Sequence, residues 1–311
     1  MLVEVSQKDY RRHFPTDPSP FISESFVSLV ELKQEKILRL MKHDESSIGL
    51  LVGLKNGVLR SPFSAPFGGF HYKHEYMFYN LIYEYLTDLK EYVVNKGIKK
   101  LSITLPPDLY QANMNAKLVT AFIRLGYTME NPDVNNWVNL NEFDGVWVKG
   151  VVAQNCRKAI KHGLVWSVAT EMHELEETYE VIHSNREDQG RKIFMSLEDI
   201  LEVRKVFPVD FFQIREKNGN IVGASIFYRG HEKIIQGIFM GDDMEKRNLG
   251  IMNYMYMNIY EYYKELGYDY IDLGVSSLDG EPNQGLIRFK ELHNCKTSLR
   301  FTFTWKPESQ L

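Results

Sequence analysis

Cysteine is scarce in this chain, and its scarcity excludes two classes of protein. Cys156 and Cys295 are the two cysteines, too few for a disulfide framework. Neither has the Cys-x-x-Cys spacing of a zinc or redox site. This usage favours a reducing compartment, and we expect a cytoplasmic protein without a metal site.

Long apolar runs and a strong excess of charge are also absent. No apolar run approaches the roughly 20 residues that span a bilayer, and the first residues lack the apolar segment of a secretion signal. The formal net charge of −4 gives no general attraction to phosphate polymers, although it does not exclude a local basic patch. We expect a soluble protein that neither inserts into a membrane nor binds DNA.

What the chain does contain is enough apolar material for sizeable cores. Hydrophobic residues make up 44% of the chain and aromatic residues 13%, so folding needs no disulfide or metal. The length of 311 residues exceeds the usual size of one core, which favours two domains.

The first half of the chain alternates between helix and strand patterns. Ser23 and Ser25 offer caps for a helix that continues to about Met41. A hairpin on the turn Asn56-Gly57 follows, with a third extended segment broken by Pro62 and Pro66. The remaining predicted elements are a helix over 76–95, a strand over 99–105, a helix over 114–125 and a strand over 137–140.

The second half shows a similar order. Val152, Cys156 and Ala159 recur at helical spacing, before a strand, two more helices and a three-stranded antiparallel meander over 211–243. A helix over 254–266, a strand over 268–275, a helix over 283–292 and a closing strand over 298–305 complete the set.

The two halves have the pattern of a diverged repeat. In each, a long helix ends at a glycine and leads into a strand, Gly97 before 99–105 and Gly267 before 268–275. We place the domain boundary between residues 142 and 143, giving domains 1–142 and 143–311.

The second half resembles the GNAT superfamily of acyl-CoA-dependent acyltransferases in the order of its elements. The stretch after the meander, Arg247 to Asn253, matches that family's phosphate loop at Arg247 and Gly250. Met252 departs from the pattern, since the family prefers a small residue there. The resemblance implies a mixed α/β fold of two tandem GNAT-like domains, each with a mixed, mostly antiparallel sheet flanked by helices.

Such a loop binds pyrophosphate through backbone N–H groups and the positive end of the following helix. We therefore predict that an acyl-CoA, such as acetyl-CoA, binds at this loop. Backbone N–H groups of the last meander strand are predicted to face the reacting carbonyl. The predicted donor-binding residues are Phe239, Met240, Arg247, Asn248, Leu249, Gly250, Ile251, Met252 and Asn253.

A second resemblance is to the Fem peptidyltransferases, which are tandem GNAT-fold proteins acting on cell-envelope precursors. It is carried by Asp272-Leu273-Gly274 and Phe289-Lys290. The long coiled-coil arm of several of those proteins has no counterpart, because no heptad pattern extends beyond single helices. Binding of aminoacyl-tRNA is therefore the weaker expectation.

Four residues are candidates for the chemistry of transfer. Asp272 and Gln236 are polar residues on otherwise apolar strands; Asp272 could equally cap a loop, and Gln236 could be an ordinary exposed strand position. His183 is a candidate base at neutral pH. No tyrosine occurs at 283–292, where many GNAT acetyltransferases place a general acid, so Ser276, Ser277 or a water would protonate the leaving thiolate.

The acceptor is expected to be a small polar molecule. Asn185, Arg186 and Lys290 are the predicted acceptor-binding residues, although a charged helix end at 185–188 could simply be solvated. The first half lacks an Arg-x-x-Gly loop, and we expect it to form a wall of the acceptor cleft.

Three functions are consistent with these patterns. The first is N-acyl transfer from acyl-CoA to an amino sugar or peptide precursor. The second is peptidyl transfer from aminoacyl-tRNA, and the third is a catalytically silent GNAT-like binding module, which the departure at Met252 would suit.

Overall fold

The computed structural model describes residues 1–42, 47–147, 149–278 and 280–307. In chain order, the described α-helices are Gln7–His13 (α1), Glu24–Val30 (α2), Tyr79–Asn95 (α3), Asp108–Arg124 (α4), Gly150–Lys161 (α5), Met172–Asp188 (α6), Leu197–Arg204 (α7), Ile251–Glu265 (α8) and Gln284–Leu292 (α9). Short 3₁₀ helices cover Pro20–Ile22, Glu31–Lys33 and Met244–Leu249.

The strands fall into two large sheets and one small ribbon. They are Leu2–Glu4 (β1), Lys36–Lys42 (β2), Ile48–Lys55 (β3), Val58–Ser61 (β4), Phe70–Tyr72 (β5), Lys100–Thr104 (β6), Thr128–Met129 (β7), Asp133–Asn139 (β8), Val165–Ala169 (β9), Val209–Arg215 (β10), Ile221–Tyr228 (β11), Ile234–Asp242 (β12), Tyr270–Val275 (β13), Ser277–Leu278 (β14), Glu281–Pro282 (β15), Lys296–Arg300 (β16) and Thr302–Trp305 (β17).

The first sheet has the order β1-β2-β3-β4-β6-β17-β7, and β5 also pairs with β3. The second has the order β16-β8-β13-β12-β11-β10-β9, and β14 pairs with β15. Both large sheets are mixed and flanked by helices, so the predicted fold class is confirmed.

The predicted repeat is visible in the topology of the two sheets. The first sheet contains the parallel pair β4 and β6, joined by a crossover through α3, and the second contains the parallel pair β12 and β13, joined through α8. Gly97 and Gly267, both with positive φ, follow these two helices. The helix-glycine-strand element therefore occupies the same place in both sheets.

The chain divides into two compact units, and each unit is built from more than one segment of the chain. Unit 1 consists of Met1–Val134, Ser277–Pro282 and Ser298–Leu311, and unit 2 consists of Asn135–Ser276 and Asn283–Thr297. This division differs from the predicted boundary between residues 142 and 143.

Two strands explain the difference. The predicted strand over 137–140 belongs to β8, which pairs with β13 in the second sheet. The predicted closing strand divides into β16 and β17, and β17 pairs with β6 and β7 in the first sheet. Phe303 of β17 stacks on Phe122 of α4 with ring centroids 4.6 Å apart. Phe303 is therefore buried in the core of unit 1.

The predicted helix from Ser23 to Met41 is wrong in its second part. Helix α2 ends at Val30, and residues from Lys36 form β2. Leu38 and Leu40 are buried on one side of that strand, which matches the two-residue period of a sheet.

Candidate donor site in unit 2

The site is built around the point at which two parallel strands separate. Strand β12 pairs with β13 over Ile234–Gln236, opposite Tyr270–Asp272. Beyond this point β12 continues to Asp242 with β11 as its partner. The stretch of β12 after Gln236 therefore presents a backbone edge that is not paired with β13.

A β-bulge distorts β12 at the start of that edge. Phe227 of β11 pairs with Gly237 and the preceding Ile226 pairs with Phe239, so Ile238 is the extra residue. Residues 237–240 are half-buried, whereas the residues on either side are buried. Successive N–H groups of a strand point to opposite edges. One of the N–H groups of Phe239 and Met240 therefore points to the edge that is not paired with β13.

The start of α8 follows β12 and carries no side-chain cap. The 3₁₀ helix Met244–Leu249 ends at Gly250, which has φ of +77° and serves as the N-cap of α8. Because this N-cap is a glycine, it offers no side-chain acceptor to the first turn, and that turn contains no acidic residue. The first N–H groups of a helix lack intrahelical acceptors, so this end favours an anion.

Helix α5 holds this turn from one side. A Cβ on Gly250 would lie 2.5 Å from the backbone oxygen of Asn155. The Asn155 amide donates to Asn253 Oδ1 at 2.7 Å, and the Cys156 thiol donates to the Asn253 carbonyl. The close approach that requires glycine here is therefore to Asn155.

The remaining loop residues divide by polarity. Ile251 is fully buried, and Leu249 and Met252 pack partly against the same core. Asn248 is exposed. The side chains of the apolar members face the core, so a ligand would contact them through backbone groups.

Arg247 is anchored to the end of β12. Its Nε donates to Asp242 Oδ1 at 3.0 Å, and the side chain is 47% exposed. Burial raises the pKa of Asp242, an effect that Arg247 opposes. Nearly half of the Arg247 side-chain surface therefore remains accessible just before the start of α8.

Asn185 completes this anchor. Its Nδ2 donates to the Asp242 carbonyl at 2.7 Å and to Oδ1 at 3.1 Å, and its Oδ1 accepts from Gln189. These bonds occupy the amide, which favours a structural role for Asn185.

The other two predicted residues of α6 differ in their surroundings. His183 is 39% exposed and lies 3.5 Å from Glu187 one helical turn away, an arrangement typical of a solvated helix face. Arg186 is half-buried; burial, and then the nearby Arg191, lower its pKa. Among the described residues, no carboxylate lies within ion-pair distance of Arg186.

Asp272 and Gln236 are neighbours on the last residue pair that joins β13 to β12. Both are buried. Asp272 Oδ1 accepts a hydrogen bond of 2.9 Å from Asn135 Nδ2 and another of 2.9 Å from the Gly274 N–H. The carboxylate thus caps the turn at Gly274, whose φ is +71°, at the same point where the strands separate.

Ser276 and Lys290 surround the next part of this turn. Ser276 donates to Asn136 Oδ1 at 2.5 Å, which engages the hydroxyl. Lys290 Nζ donates to the carbonyls of Leu273 at 2.8 Å and Gly274 at 2.9 Å, and burial lowers its pKa to about 8. Lys290 therefore fixes the last part of β13.

Asn135 and Asn136 are site residues that the sequence reasoning missed. Both lie on β8, and they bind Asp272 and Ser276 respectively. The consecutive pair Asn135-Asn136 inside an otherwise strand-like stretch was the available signal, because buried amides require partners.

Two further properties bear on the chemistry. No helix in the described part of the chain is both long and apolar enough to cross a membrane. Within residues 1–42, 47–147, 149–278 and 280–307, no group of three or more His, Cys, Asp or Glu side chains is placed to hold a metal ion.

No protein-family model matches the chain, and no curated protein matches its sequence. Solved structures do match its fold. FemX is 11% identical, over 98% of this chain and 97% of that one, with a TM-score of 0.68. L-PGS from Bacillus licheniformis is 15% identical over 99% and 94% of the two chains, with a TM-score of 0.61.

A tandem GNAT protein from the clavulanic acid biosynthesis pathway extends the same likeness. It is 11% identical over 100% of this chain and 99% of that one, with a TM-score of 0.60. At these identities the likeness is one of fold. The chain therefore has a tandem GNAT-like fold of the kind found in FemX.

Proposed function

We propose that the protein is an N-acyltransferase that moves an acyl group from acyl-CoA to an amino group of a small polar acceptor. An amino sugar or a peptide precursor is the proposed acceptor. The observation that carries the proposal is the separation of β12 from β13 next to the uncapped start of α8. The fold supports a transferase, and this geometry supports the choice of donor.

The donor would bind in two parts. Its amide-containing arm would pair with the free edge of β12 as an added strand. Its pyrophosphate would accept hydrogen bonds from the first N–H groups of α8, with Arg247 supplying a positive charge that is already held in place by Asp242.

The reaction would proceed by attack of a neutral amine on the thioester carbonyl carbon. A C–N bond forms, and the carbonyl oxygen becomes an oxyanion that an N–H of Phe239 or Met240 would stabilise. Collapse of the intermediate breaks the C–S bond and releases CoA thiolate. The amine nitrogen loses one proton, and the thiolate gains one.

Asp272 is our proposed acceptor for the proton of the amine, or the group that orients it. Hydrogen bonds from Asn135 and Gly274 hold the carboxylate in its orientation. Gln236 has no basic group, so its contribution would be a hydrogen bond to the acceptor. The engaged hydroxyl of Ser276 makes that residue the weaker candidate for protonating the thiolate.

Transfer from aminoacyl-tRNA is the second candidate function. FemX has the highest TM-score of the structures compared above, and Arg186 offers a half-buried positive charge without a carboxylate partner in the described part of the chain. The described helices reach 17 residues, as in α3, α4 and α6, so no long helical arm is present among them.

Native mass spectrometry of the purified protein tests the proposal. We expect a mass increment equal to CoA or an acyl-CoA, and release of free thiol when acetyl-CoA is supplied with a panel of amino sugars and peptides. Retention of charged tRNA without CoA would favour the second candidate. Retention of neither, with no thiol release, would favour a silent binding module.

A further inference from the structure

Unit 1 contains a large groove outside the proposed donor site. It has a volume of about 730 Å³ and lies along β4, β6 and the loop over 62–66 that follows β4. Arg300, contributed by the C-terminal part of the chain, is also among the lining residues. The volume falls within the range of about 300–1,000 Å³ that small-molecule sites occupy.

The charges that line the groove are all positive. They come from Lys33, Lys55, Arg60 and Arg300, and no Asp or Glu is among the lining residues that the structure describes. Glu35 is engaged by the backbone N–H of Asn56, and Asp133 pairs with Arg300 at 2.7 Å. Because the whole chain carries a net charge of −4, this local excess of cations departs from the average surface.

Two of the arginines have unused capacity for binding an anion. Arg60 is exposed on β4, and no carboxylate of the described residues lies within ion-pair distance of it. Arg300 donates through Nη1 to the Pro66 carbonyl and through Nη2 to Asp133, but its Nε is buried and has no hydrogen-bond partner in the described structure. The Arg300 guanidinium therefore keeps one donor that its two partners do not use, and the residue lines the groove.

Neutral polar groups line the rest of the groove. Hydroxyl and amide side chains come from Gln34, Asn56, Ser64, Ser102 and Thr104. Such groups exchange hydrogen bonds with hydroxyls on a ligand. The lining thus combines cations for a phosphate with donors and acceptors for a hydroxyl-rich body.

We propose that this groove binds a phosphorylated, hydroxyl-rich small molecule, such as a sugar phosphate. The inference does not depend on the proposed acyl transfer, because the groove lies wholly in unit 1 and the donor site lies in unit 2. Arg60 and Arg300 would hold the phosphate, and the hydroxyl and amide side chains would hold the sugar.

Calorimetric titration of the full chain, without CoA, with glucose 6-phosphate, glucose and inorganic phosphate tests the proposal. We expect glucose 6-phosphate to bind more tightly than either of the others. Arg60→Gln should weaken that binding about 10- to 100-fold, as expected for loss of a charge-assisted hydrogen bond. The matched control is Arg124→Gln, an exposed arginine at the end of α4 outside the groove, which should leave the affinity unchanged.

Three results would overturn the inference. Equal loss of affinity in the two variants would mean a general charge effect. Equal affinities for inorganic phosphate and glucose 6-phosphate would mean that the groove does not recognise the sugar. If none of the three ligands binds, the groove is not a binding site for this class of molecule. Unchanged melting temperatures in both variants establish that the comparison concerns folded protein.

Discussion

His293 allows a prediction of how stability depends on pH. It is fully buried at the end of α9 against the rings of Trp147, Tyr256 and Phe289. Nδ1 donates to the Phe289 carbonyl at 2.7 Å, and Nε2 is buried without a hydrogen-bond partner in the described structure. Burial therefore lowers the pKa of His293 from 6.5 to about 4, because a proton on Nε2 would lack an acceptor.

The magnitude follows from the difference between the folded and unfolded pKa values. Between pH 6.5 and about 4 the unfolded chain binds the extra proton, so the free energy of unfolding falls as the pH falls. About 2.5 pH units at about 1.4 kcal/mol each give a total of roughly 3 kcal/mol. Most of this stability is lost by about pH 4.5, and almost none is lost above about pH 7.5.

His293→Phe removes the titration and retains an aromatic ring. The variant also loses the hydrogen bond to Phe289, so we expect it to be about 1 kcal/mol less stable than the wild type at about pH 7.5. Urea unfolding followed by tryptophan fluorescence should show this difference vanish and then reverse towards about pH 4.5. The control is His173→Phe, at an exposed position on α6.

A constant difference in unfolding free energy between wild type and His293→Phe across this pH range would refute the reasoning. So would an equal pH response in His173→Phe. Either result would mean that His293 is protonated in the folded protein or is not the group that titrates.

Three further predictions concern other parts of the chain. Asp272→Asn removes the charge but can keep both hydrogen bonds to its Oδ1, so we expect turnover to fall about 10²–10⁴-fold with little change in melting temperature. Full activity with lowered stability would contradict the catalytic assignment. Gly250→Ala places a Cβ against the Asn155 carbonyl at positive φ and should cost about 1–3 kcal/mol in urea unfolding, whereas an unchanged stability would contradict that packing. Phe303→Ala should destabilise unit 1 by about 3–5 kcal/mol, detected as faster amide exchange in β6, and unaltered exchange there would contradict the placement of β17.

Features set by neighbouring residues could be predicted from the sequence. The Asn56-Gly57 hairpin forms as expected, with φ of +53° and +74° at the two turn residues. The meander and the turn before α8 were also located correctly, because glycines and strand periodicity act over a few residues. These local signals suffice to place the hairpin, the meander and this turn along the chain.

The sheet to which β8 and β17 belong could not be predicted from the sequence. An apolar alternation indicates that a strand is buried, but it does not indicate which sheet the strand joins. Val138 of β8 pairs with Ile271, and Phe303 of β17 packs on Phe122, far away in the chain in both cases. Asn135 lies on β8 outside the predicted strand over 137–140, and it binds Asp272.

The predicted site residues depended on partners for the same reason. The loop at Arg247 could be found from its glycine, but its anchor through Asp242 and Asn185 joins three separate elements. Lys290 donates to carbonyls in the last part of β13, a contact that the sequence did not indicate. Polar residues on apolar strands indicate a buried network of hydrogen bonds. Which of these residues face a ligand depends on the tertiary packing.

The most direct test of the proposed donor site is calorimetric titration of CoA into wild type, Arg247→Glu and Arg247→Gln. We expect the charge reversal to weaken binding by about 10- to 100-fold through lost attraction and added repulsion, and the neutral variant to lie in between. Arg157→Glu, at an exposed position on α5, is the matched control and should bind as the wild type does. Wild-type affinity for CoA in folded Arg247→Glu protein, or no affinity for CoA in the wild type, would contradict a donor site at the start of α8.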